Sequence, residues 1–588
     1  MTALLGFRGP HGHGVWGCDS AGFGHTQLRV GDAPARDQPF GDSGVWITAD
    51  ARIDGQAELK RKLSARGITR AADDDDAALI LQAYLAWGED CVTHLIGDFA
   101  FAVWDEPQRK LFCARDHFGV KPFFYSANRG QLVFSNTLPA VLAFPGVDSR
   151  LDELAIADLL LFDMKQDAAA TSFAAVRRLP PAHCLAFTPS GLTVRPYWAL
   201  PYDSPLVYRD SNAYAEAFHE VLAIAVADRV RSSRVCVHMS GGLDSPAVAH
   251  RAMAHLKSQG RPYDLRAHTA VYDRLFADEE RHYTGLVAEK LGIPVHFRTA
   301  DDYGLFERYS EHRAYFSEPL NRPLAALEVD LARQAARESD MVLTGWDGDT
   351  ILNESPRPYF RVLLKERRWA RLLANAVGYA IEERKILPAG TLSRLFPWGS
   401  KAEGAQEDFP PWLAPDFEHR LRLRERAAQF TAIVPSAHPT RPYAFRILDY
   451  VMRLSNFFEF YDPGCSGSAV EFRHPMFDLR VIEFCLSVPP YPWCVKKHLL
   501  RRAMKGILPE AVRKRPKTGL AGFPHIEMLK RDASKWVDEF VPCPETTRFV
   551  DRSKIPKTRG DSDPNRSLMN LRPLSLDLWL RNSAHPYS

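Results

Sequence analysis

The chain has 588 residues, of which 46% are hydrophobic and 25% are charged. That length exceeds one ordinary hydrophobic core, so we expect a globular protein of two or more domains. Its 75 Lys and Arg residues against 72 Asp and Glu residues give a net charge of +3, which is too balanced to indicate nucleic-acid binding. No segment approaches the roughly 20 apolar residues that cross a bilayer, which predicts a cytoplasmic protein without a membrane span.

The nine cysteines are scattered and form no Cys-x-x-Cys pair. This spacing disfavours both a zinc site and a disulfide framework. We therefore expect free thiols in a reducing compartment.

Residues up to about 200 are typical of short strands joined by turns. The patterns predict strands over 97–105, 111–116, 123–126 and 131–135, and one helix over 75–88. This predicts packed sheets with little helix.

Residues 200–205 are proline-marked and are expected to form a linker. Beyond them, long amphipathic helices alternate with a few buried strands, such as 235–239 and 341–344. That alternation predicts a parallel sheet flanked by helices, with a helical extension.

A glycine-rich string, Ser-Gly-Gly-Leu-Asp-Ser over 240–245, follows the first of these buried strands and precedes an apolar helical pattern. Backbone amides in such a turn hold a phosphate at a helix N-terminus, and Asp244 can hold a magnesium ion against the phosphates. The string has no Gly-Lys-Ser/Thr, so it is not the usual P-loop. It resembles the pyrophosphate loop of ATP-pyrophosphatases, which form acyl-adenylates.

An ordered set of strings resembles class B asparagine synthetases along nearly the whole chain. The strings lie at 97–101, 114–122, 179–198, 240–245, 278–281, 345–349, 471–478 and 515–519. The resemblance implies an α/β protein with two domains. Residues 1–200 are expected to form a degenerate class II glutamine amidotransferase-like domain, an Ntn-hydrolase-like αββα sandwich. Residues 208–588 are expected to form a parallel-sheet ATP-pyrophosphatase domain.

The front half departs from this family at two places. An active glutaminase of this kind uses a processed N-terminal cysteine as nucleophile, whereas this chain has Thr2. Where the family has Asn-Gly to bind glutamine and form the oxyanion hole, this chain has Asp50-Ala51, and an aspartate would repel a developing oxyanion. We therefore expect no glutaminase activity.

In the back half the resemblance implies ATP and Mg²⁺ as cofactors, and a set of site residues. The implied ATP-binding residues are Ser240, Gly241, Gly242, Asp244, Ser245, Val271, Thr344 and Gly345. Asp244 and Asp349 are the implied magnesium ligands, and both are expected to be catalytic together with Lys517, a cation for the charge that develops during adenylation. Trp346 replaces an acidic residue of the family, which favours an apolar or peptide substrate. No general base is assigned.

Two further segments admit ordinary structural explanations. The basic stretch 496–517 is expected to comprise solvated helix faces and general attraction for pyrophosphate. Residues 278–281 could be an exposed acidic helix start. In the string 471–478, Arg473 is a candidate substrate residue, which the resemblance pairs with Asp478 near the substrate channel.

Within the family, Trp346 and the strings 317–320 and 471–478 are most similar to lasso-peptide cyclases, the macrolactam synthetases. β-Lactam synthetases carry a tyrosine in the 345–349 loop, which this chain lacks. The resemblance implies adenylation of an Asp or Glu side chain of a cleaved precursor peptide, then attack by the peptide's α-amine to form an isopeptide bond. It also implies a leader peptidase as a partner. The alternatives are an ammonia-dependent asparagine synthetase, another small-molecule amide ligase, and a peptide-binding scaffold without catalysis.

Overall fold

A computed structural model describes residues 1–31, 36–68, 75–128, 130–202, 206–208, 210–309, 317–383, 409–432, 438–454 and 457–583. Residues 203–205 of the predicted linker lie outside this set. Within the described part of the chain, no helix has the length and apolar character that a membrane crossing requires. Eight cysteine side chains are described there, and all eight are free thiols.

The front half consists of strands that form two main sheets. The strands are β1 (His13–Gly17), β2 (Gly22–Thr26), β3 (Phe40–Asp42), β4 (Val45–Asp54), β5 (Ile96–Asp105), β6 (Lys110–Arg115), β7 (Phe124–Asn128), β8 (Gln131–Ser135), β9 (Arg177–Arg178), β10 (His183–Thr188) and β11 (Gly191–Pro196). The larger sheet has the order β11-β10-β6-β5-β4-β3 and is antiparallel throughout. The smaller has the order β8-β7-β9, and β1 pairs with β2 alone.

Helices cover the outer faces of these sheets. They are α1 (Gln56–Ser64), α2 (Asp76–Trp87), α3 (Leu138–Leu142) and α4 (Glu153–Phe162). Along β5, Phe101 packs with the side chains of α1 and α2, while Ala102 packs with those of the smaller sheet. This alternation, which follows from the two-residue period of a strand, builds the helix–sheet–sheet–helix layers that the family resemblance implies.

The predicted strands of the front half are confirmed to within three residues at each end, and the helix at 75–88 is confirmed as α2. Asp75 begins that helix by accepting a hydrogen bond from the Ala78 N–H. The expectation of little helix is wrong, because α1, α3 and α4 are also present. Helix α4, Glu-Leu-Ala-Ile-Ala-Asp-Leu-Leu-Leu-Phe, is buried nearly all round, so its sequence has no apolar stripe that would indicate a helix.

The back half is built on a five-stranded parallel sheet. Its strands are β12 (Arg234–His238), β13 (Asp264–Val271), β14 (Val295–Thr299), β15 (Met341–Thr344) and β16 (Glu471–Arg473), in the order β14-β13-β12-β15-β16. The predicted parallel sheet and its two predicted strands are confirmed. The strand β12 is central, so the loop that follows it opens at the middle of the carboxyl edge of the sheet, where open α/β sheets bind ligands.

Helices pack on both faces of this sheet and continue into the extension. The first are α5 (Ser211–Arg229), α6 (Asp244–Ser258), α7 (Glu280–Leu291), α8 (Ala325–Glu338), α9 (Gly348–Leu352), α10 (Pro356–Lys365) and α11 (Trp369–Glu383). The others are α12 (Pro415–Arg420), α13 (Leu423–Ala432), α14 (Pro442–Arg453), α15 (Pro463–Ser466), α16 (Leu479–Ser487), α17 (His498–Ala503), α18 (Glu510–Lys514), α19 (Pro524–Leu529), α20 (Lys535–Glu539), α21 (Pro544–Thr547) and α22 (Pro564–Ser583). Side chains of α5 and α6 share a core with Val235 and Val237, whereas α8 shares the opposite core with Cys236.

Buried ion pairs join the two halves. Arg8 Nη2 lies 2.9 Å from Asp462, and Lys121 Nζ lies 2.9 Å from Glu471. Arg178 lies 2.7 Å from Glu459, and Arg229 lies 3.0 Å from Asp54. In each pair one partner comes from the front half and the other from the back half. The contact between the halves is therefore held by charges that water cannot screen.

Candidate active site at the carboxyl edge of the parallel sheet

The loop between β12 and α6 is closed by its own two serines. The Ser240 N–H donates to Ser245 Oγ at 2.9 Å, and the two hydroxyl oxygens lie 3.2 Å apart. The Gly241 N–H donates to Glu280 Oε2 at 2.6 Å. A backbone amide of this loop is thus already directed at an anionic oxygen, which is the geometry that phosphate binding at a helix N-terminus requires.

Glu280 is the first residue of α7, and its carboxylate contacts the loop 240–245. The interpretation of 278–281 as an exposed helix start is therefore wrong for Glu280. Arg515 lies beside it and donates from Nη1 to the Gly241 carbonyl at 3.0 Å. The same nitrogen lies 3.2 Å from Glu280 Oε1, and the guanidinium stacks 4.0 Å from the Tyr283 ring centroid. Arg515 therefore holds a positive charge against the loop.

The loop 345–349 follows β15 and packs directly against the loop 240–245. A Cβ added at Gly345 would lie 2.3 Å from the Ser245 backbone nitrogen, and one added at Gly348 would lie 2.2 Å from Asp244 Oδ1. Both distances are far below van der Waals contact, so the two loops can approach this closely only because glycine occupies both positions.

The structure brings together Asp244, Asp349 and Lys517, as predicted, and places Lys497 between the two aspartates. Lys497 Nζ contacts the Asp244 carboxylate and lies 2.9 Å from Asp349 Oδ1. Lys517 Nζ lies 3.2 Å from the same Asp349 oxygen. The Lys497 side chain is buried and the Lys517 side chain is 61% exposed, so one cation is fixed within the site and the other stands at its mouth.

Burial and charge act in opposite directions on the acidic groups of this site. Burial raises the pKa of Asp244 despite the attraction of Lys497, and burial raises the pKa of Asp347 well above its usual value. Burial also acts on Asp349, but Lys497 and Lys517 outweigh it and lower the pKa of that carboxyl.

The residues present fit a magnesium ion. Asp244 Oδ1 and Asp347 Oδ2 are buried and accept no hydrogen bond within the described part of the chain. Carboxylate oxygens are the ligands that Mg²⁺ prefers, usually one or two of them together with the phosphates of a substrate. Asp244 and Asp349 would hold the ion here, where it would neutralise phosphate charge.

Lys497 is a residue of this site that the sequence reasoning did not single out from a basic stretch expected to attract pyrophosphate only in general. It was expected to belong to solvated helix faces in the basic stretch 496–517. Its neighbour Lys496 is exposed as expected, but Lys497 is only 7% exposed. Because the two lysines are adjacent within one basic run, no spacing or composition signal separates them.

Val271 and Thr344 end the strands on either side of β12, so both lie at the same sheet edge as the loop 240–245. Thr344 Oγ1 is 2.8 Å from His474 Nδ1. Burial lowers the pKa of His474 to about 3, so this imidazole is neutral near pH 7 and cannot supply positive charge to the site.

The two candidate substrate residues lie in different environments. The Trp346 side chain is 45% exposed and meets Phe457 edge-on at 5.6 Å. Arg473 is buried and pairs with Glu471 at 2.7 Å. The expected pair between Arg473 and Asp478 is therefore wrong. Asp478 binds Arg229 instead, at 2.6 Å.

Arg473 and Glu471 line a cavity of about 1090 Å³ in the front half, which also contains Thr2 and Asp50. No cysteine is among the described residues that line it. Thr2 packs on Gly24, where an added Cβ would overlap the Thr2 hydroxyl oxygen at 1.9 Å.

Asp50 in this cavity is an ion-paired anion. Its Oδ1 lies 2.7 Å from Lys121 Nζ, and its Oδ2 accepts hydrogen bonds from Arg8 and Asn136 at 3.1 Å each. Burial opposes ionisation, but Lys121 and Arg8 prevail and lower the pKa of Asp50. Lys121 also binds Glu471, so the cavity and the back half share one chain of charges.

A parallel sheet with a glycine-rich loop at its central strand, fused to an αββα sandwich, is the arrangement of this chain, and comparison with known proteins assigns it to the class of ATP-dependent ligases that form amide bonds. Family models agree with this class: a model described as "Glutamine amidotransferase domain" matches residues 1–198, and one described as "Asparagine synthase" matches residues 217–581. The chain belongs to the asparagine synthase family, whose ligases release AMP and pyrophosphate.

Curated relatives extend over most of the chain. The protein "Asparagine synthetase [glutamine-hydrolyzing] 3" of Bacillus subtilis is 26% identical over 91% of this chain and 86% of its own length. "Asparagine synthetase [glutamine-hydrolyzing] 1" of the same organism is 22% identical over 94% and 88%. "Amidase chry2" of Gibberella zeae is 28% identical over 54% of this chain and 49% of its own length.

Proposed function

We propose that this protein is a lasso-peptide macrolactam synthetase, which joins an Asp or Glu side chain of a processed precursor peptide to that peptide's own α-amine. One observation carries the proposal. In the cavity of the front half the described residues include a threonine and an ion-paired Asp50 but no cysteine. A ligase without a glutamine-derived ammonia supply needs an amine from its substrate, and a peptide that provides both groups meets that need.

The first step is adenylation. The side-chain carboxylate attacks the α-phosphorus of ATP, the bond to the β-phosphate oxygen breaks, and pyrophosphate leaves. The amides of the loop 240–245 and the cations Lys497 and Lys517 stand where the negative charge develops. Magnesium, when bound at Asp244 and Asp349, neutralises phosphate charge.

In the second step the α-amine attacks the acyl carbon, and the acyl–phosphate bond breaks with release of AMP and one proton. The site contributes position more than acid–base chemistry, because holding both ends of one peptide together removes most of the entropic barrier. No described residue is assigned as the base for the amine.

Apolar side chains around the cation cluster support a peptide substrate. Trp346 follows Gly345 in the loop that carries Asp349, and Leu520 and Phe523 follow Lys517. All three side chains are at least 45% exposed. In this proposal these side chains contact the apolar residues of the peptide, and a leader peptidase that delivers the cleaved peptide is the partner that the proposal requires.

The test uses the full chain with ATP, Mg²⁺ and a linear core peptide taken from a short precursor reading frame beside the gene. We expect AMP, pyrophosphate and a peptide product that is lighter by one water and resists aminopeptidase. The same chain incubated with glutamine is expected to release no glutamate. Steady glutamate release, or no mass loss in any core peptide despite AMP formation with small acids, would overturn the proposal.

A second candidate function is ammonia-dependent asparagine synthesis. It is favoured by the two relatives that match most of this chain and are named asparagine synthetases. Aspartate, ammonium and ATP supplied to the full chain would then give asparagine and AMP. The first proposal expects neither product from this mixture.

A further inference from the structure

A cluster of sulfur, imidazole and carboxylate groups lies on the sheet away from the ATP site. Cys236 Sγ is 3.5 Å from His268 Nε2, and the same nitrogen is 2.9 Å from Glu338 Oε2. All three ligand atoms lie within 4.8 Å of one another. The cluster joins the strands β12 and β13 to the end of α8, on the face of the sheet that α8 covers.

We propose that Cys236, His268 and Glu338 bind one zinc ion, and that His296 or a water molecule completes the coordination. This site is separate from the proposed magnesium site. It ties together the core of the parallel sheet and does not take part in the ligase reaction.

The spacing of Cys236 and His268 fits a tetrahedral ion, whereas the 2.9 Å between His268 Nε2 and Glu338 Oε2 is a hydrogen-bond distance that must widen to about 3.3 Å when the ion binds. Zinc bonds of about 2.3 Å to sulfur and about 2.0 Å to nitrogen, at tetrahedral angles, place those two atoms about 3.5 Å apart. The observed distance between Cys236 and His268 equals this value. Thiolate, imidazole and carboxylate together are ligands that zinc accepts, whereas magnesium selects oxygen donors alone.

The charges around the cluster also favour a divalent cation. One thiolate and one carboxylate neutralise the ion, which reduces the cost of holding it at a buried position. Binding releases the thiol proton of Cys236 to solvent. Arg266 Nη1 lies 3.8 Å from Glu338 Oε1, the carboxylate oxygen that is not hydrogen-bonded to His268.

A fourth ligand and an entry path lie at the rim. His296 Nε2 is 3.6 Å from Glu338 Oε1, and the His296 and His268 ring centroids are 5.2 Å apart. The His296 and Glu338 side chains are 36% and 21% exposed, so an ion can reach the buried Cys236 and His268 from this side. A search of the sequence for Cys-x-x-Cys pairs does not find this site, because its ligands come from four separate elements.

The experiment measures zinc and cobalt in the full chain. Protein stripped with a chelator and then dialysed against Zn²⁺ is expected to retain one zinc ion and to melt at a higher temperature than the stripped protein. Replacement with Co²⁺ is expected to give a sulfur-to-cobalt charge-transfer band and the visible bands of a tetrahedral ion. The bound zinc and the cobalt bands should both be lost in Cys236→Ser and strongly reduced in Glu338→Gln.

Cys113→Ser is the matched control, since Cys113 is a buried free thiol of the front half, and it should retain metal and band. The substitution Glu338→Gln changes a partly exposed side chain, so it still gives a result if Cys236→Ser does not fold. The proposal is overturned if stripped wild-type protein binds no Zn²⁺ after dialysis. A cobalt band that persists unchanged in Cys236→Ser or Glu338→Gln would overturn it equally.

Discussion

At the scale of single residues, the active site depends on how three charged side chains neutralise one another. Asp244 and Asp349 come from different loops, and Lys497 fixes their separation because its Nζ contacts both carboxylates. The burial of Lys497 would be costly without them; burial lowers its pKa, but the two aspartates prevail and raise it. Lys497 is therefore charged at every pH at which the ligase would operate.

Replacement of Lys497 by methionine should abolish most adenylation. The variant leaves the carboxylates of Asp244 and Asp349 without their shared cation and removes positive charge from the phosphate site. We expect ATP–pyrophosphate exchange to fall by about 10²-fold or more, the scale seen when one group that stabilises transition-state charge is removed. Lys496→Met is the control, because Lys496 is adjacent in sequence but exposed, and it should retain its activity.

Asp244→Ala and Asp349→Ala should each abolish AMP formation. Each removes a carboxylate that would hold magnesium against the phosphates, and neither substitution reaches the front half. AMP is measured with saturating ATP over a series of magnesium concentrations. Undiminished turnover in either variant would contradict the assignment of these two residues.

At the scale of elements, the site exists because two strand-to-helix loops are in direct backbone contact. Gly345 packs against Ser245, and Gly348 packs against Asp244. The parallel order β13-β12-β15 places both loops at one edge, and glycine lets them meet.

A methyl group at Gly345 should therefore impair the enzyme without a change of charge. Gly345→Ala forces a Cβ to within 2.3 Å of the Ser245 backbone nitrogen, so the two loops must separate. We expect a loss of about 10²-fold in ATP–pyrophosphate exchange, as follows when reacting groups are misplaced by about 1 Å. Gly285→Ala in α7 is the control: nothing lies within 4 Å of its added Cβ, so activity should be retained.

Sequence patterns predicted the sheet and most of the site, but not the connections made by long-range contacts. The strands at 235–239 and 341–344 were found because buried parallel strands are short apolar runs, and the loop 240–245 because its motif is local. Lys497 was not singled out, and Arg473 was paired with Asp478 although it binds Glu471 in its own strand. The carboxylates that Lys497 binds lie in other elements, and no pattern of neighbouring residues records a contact between distant parts of a chain.

At the scale of the whole molecule, Lys121 connects the cavity of the front half to the parallel sheet. It binds Asp50 at 2.7 Å and Glu471 at 2.9 Å, and the side chains of Lys121 and Glu471 are buried. Burial opposes ionisation of both carboxyls, but Lys121 together with Arg8 at Asp50, and with Arg473 at Glu471, lowers the pKa of each. These interactions therefore favour the ionised, folded form.

Lys121→Met should destabilise the protein at pH 7, because it removes one cation from both Asp50 and Glu471. Arg8 and Arg473 remain beside them, so we expect a loss smaller than the cost of a fully unpaired buried charge, about 3–5 kcal/mol. A carboxyl with a lowered pKa in the folded state stabilises the protein above its unfolded pKa, about 4, and loses that contribution as the pH falls. The difference between wild type and variant should therefore shrink below about pH 4.

Urea unfolding at pH 7 and at acidic pH measures this difference. Lys535→Met is the control: Lys535 pairs with Asp532 on the surface, and such pairs contribute at most about 1 kcal/mol. A difference between wild type and Lys121→Met that grows on acidification would contradict the prediction.

The ion pairs between the halves make the synthetase half dependent on the front half. Asp462, Glu471, Glu459 and Arg229 of the synthetase half have counter-ions in the other half. Deleting the front half would remove a counter-ion from each of these four side chains at once, and no single substitution could compensate for that. The amidotransferase-like half thus serves the synthetase half as an electrostatic complement, a role that is separate from any chemistry in its cavity.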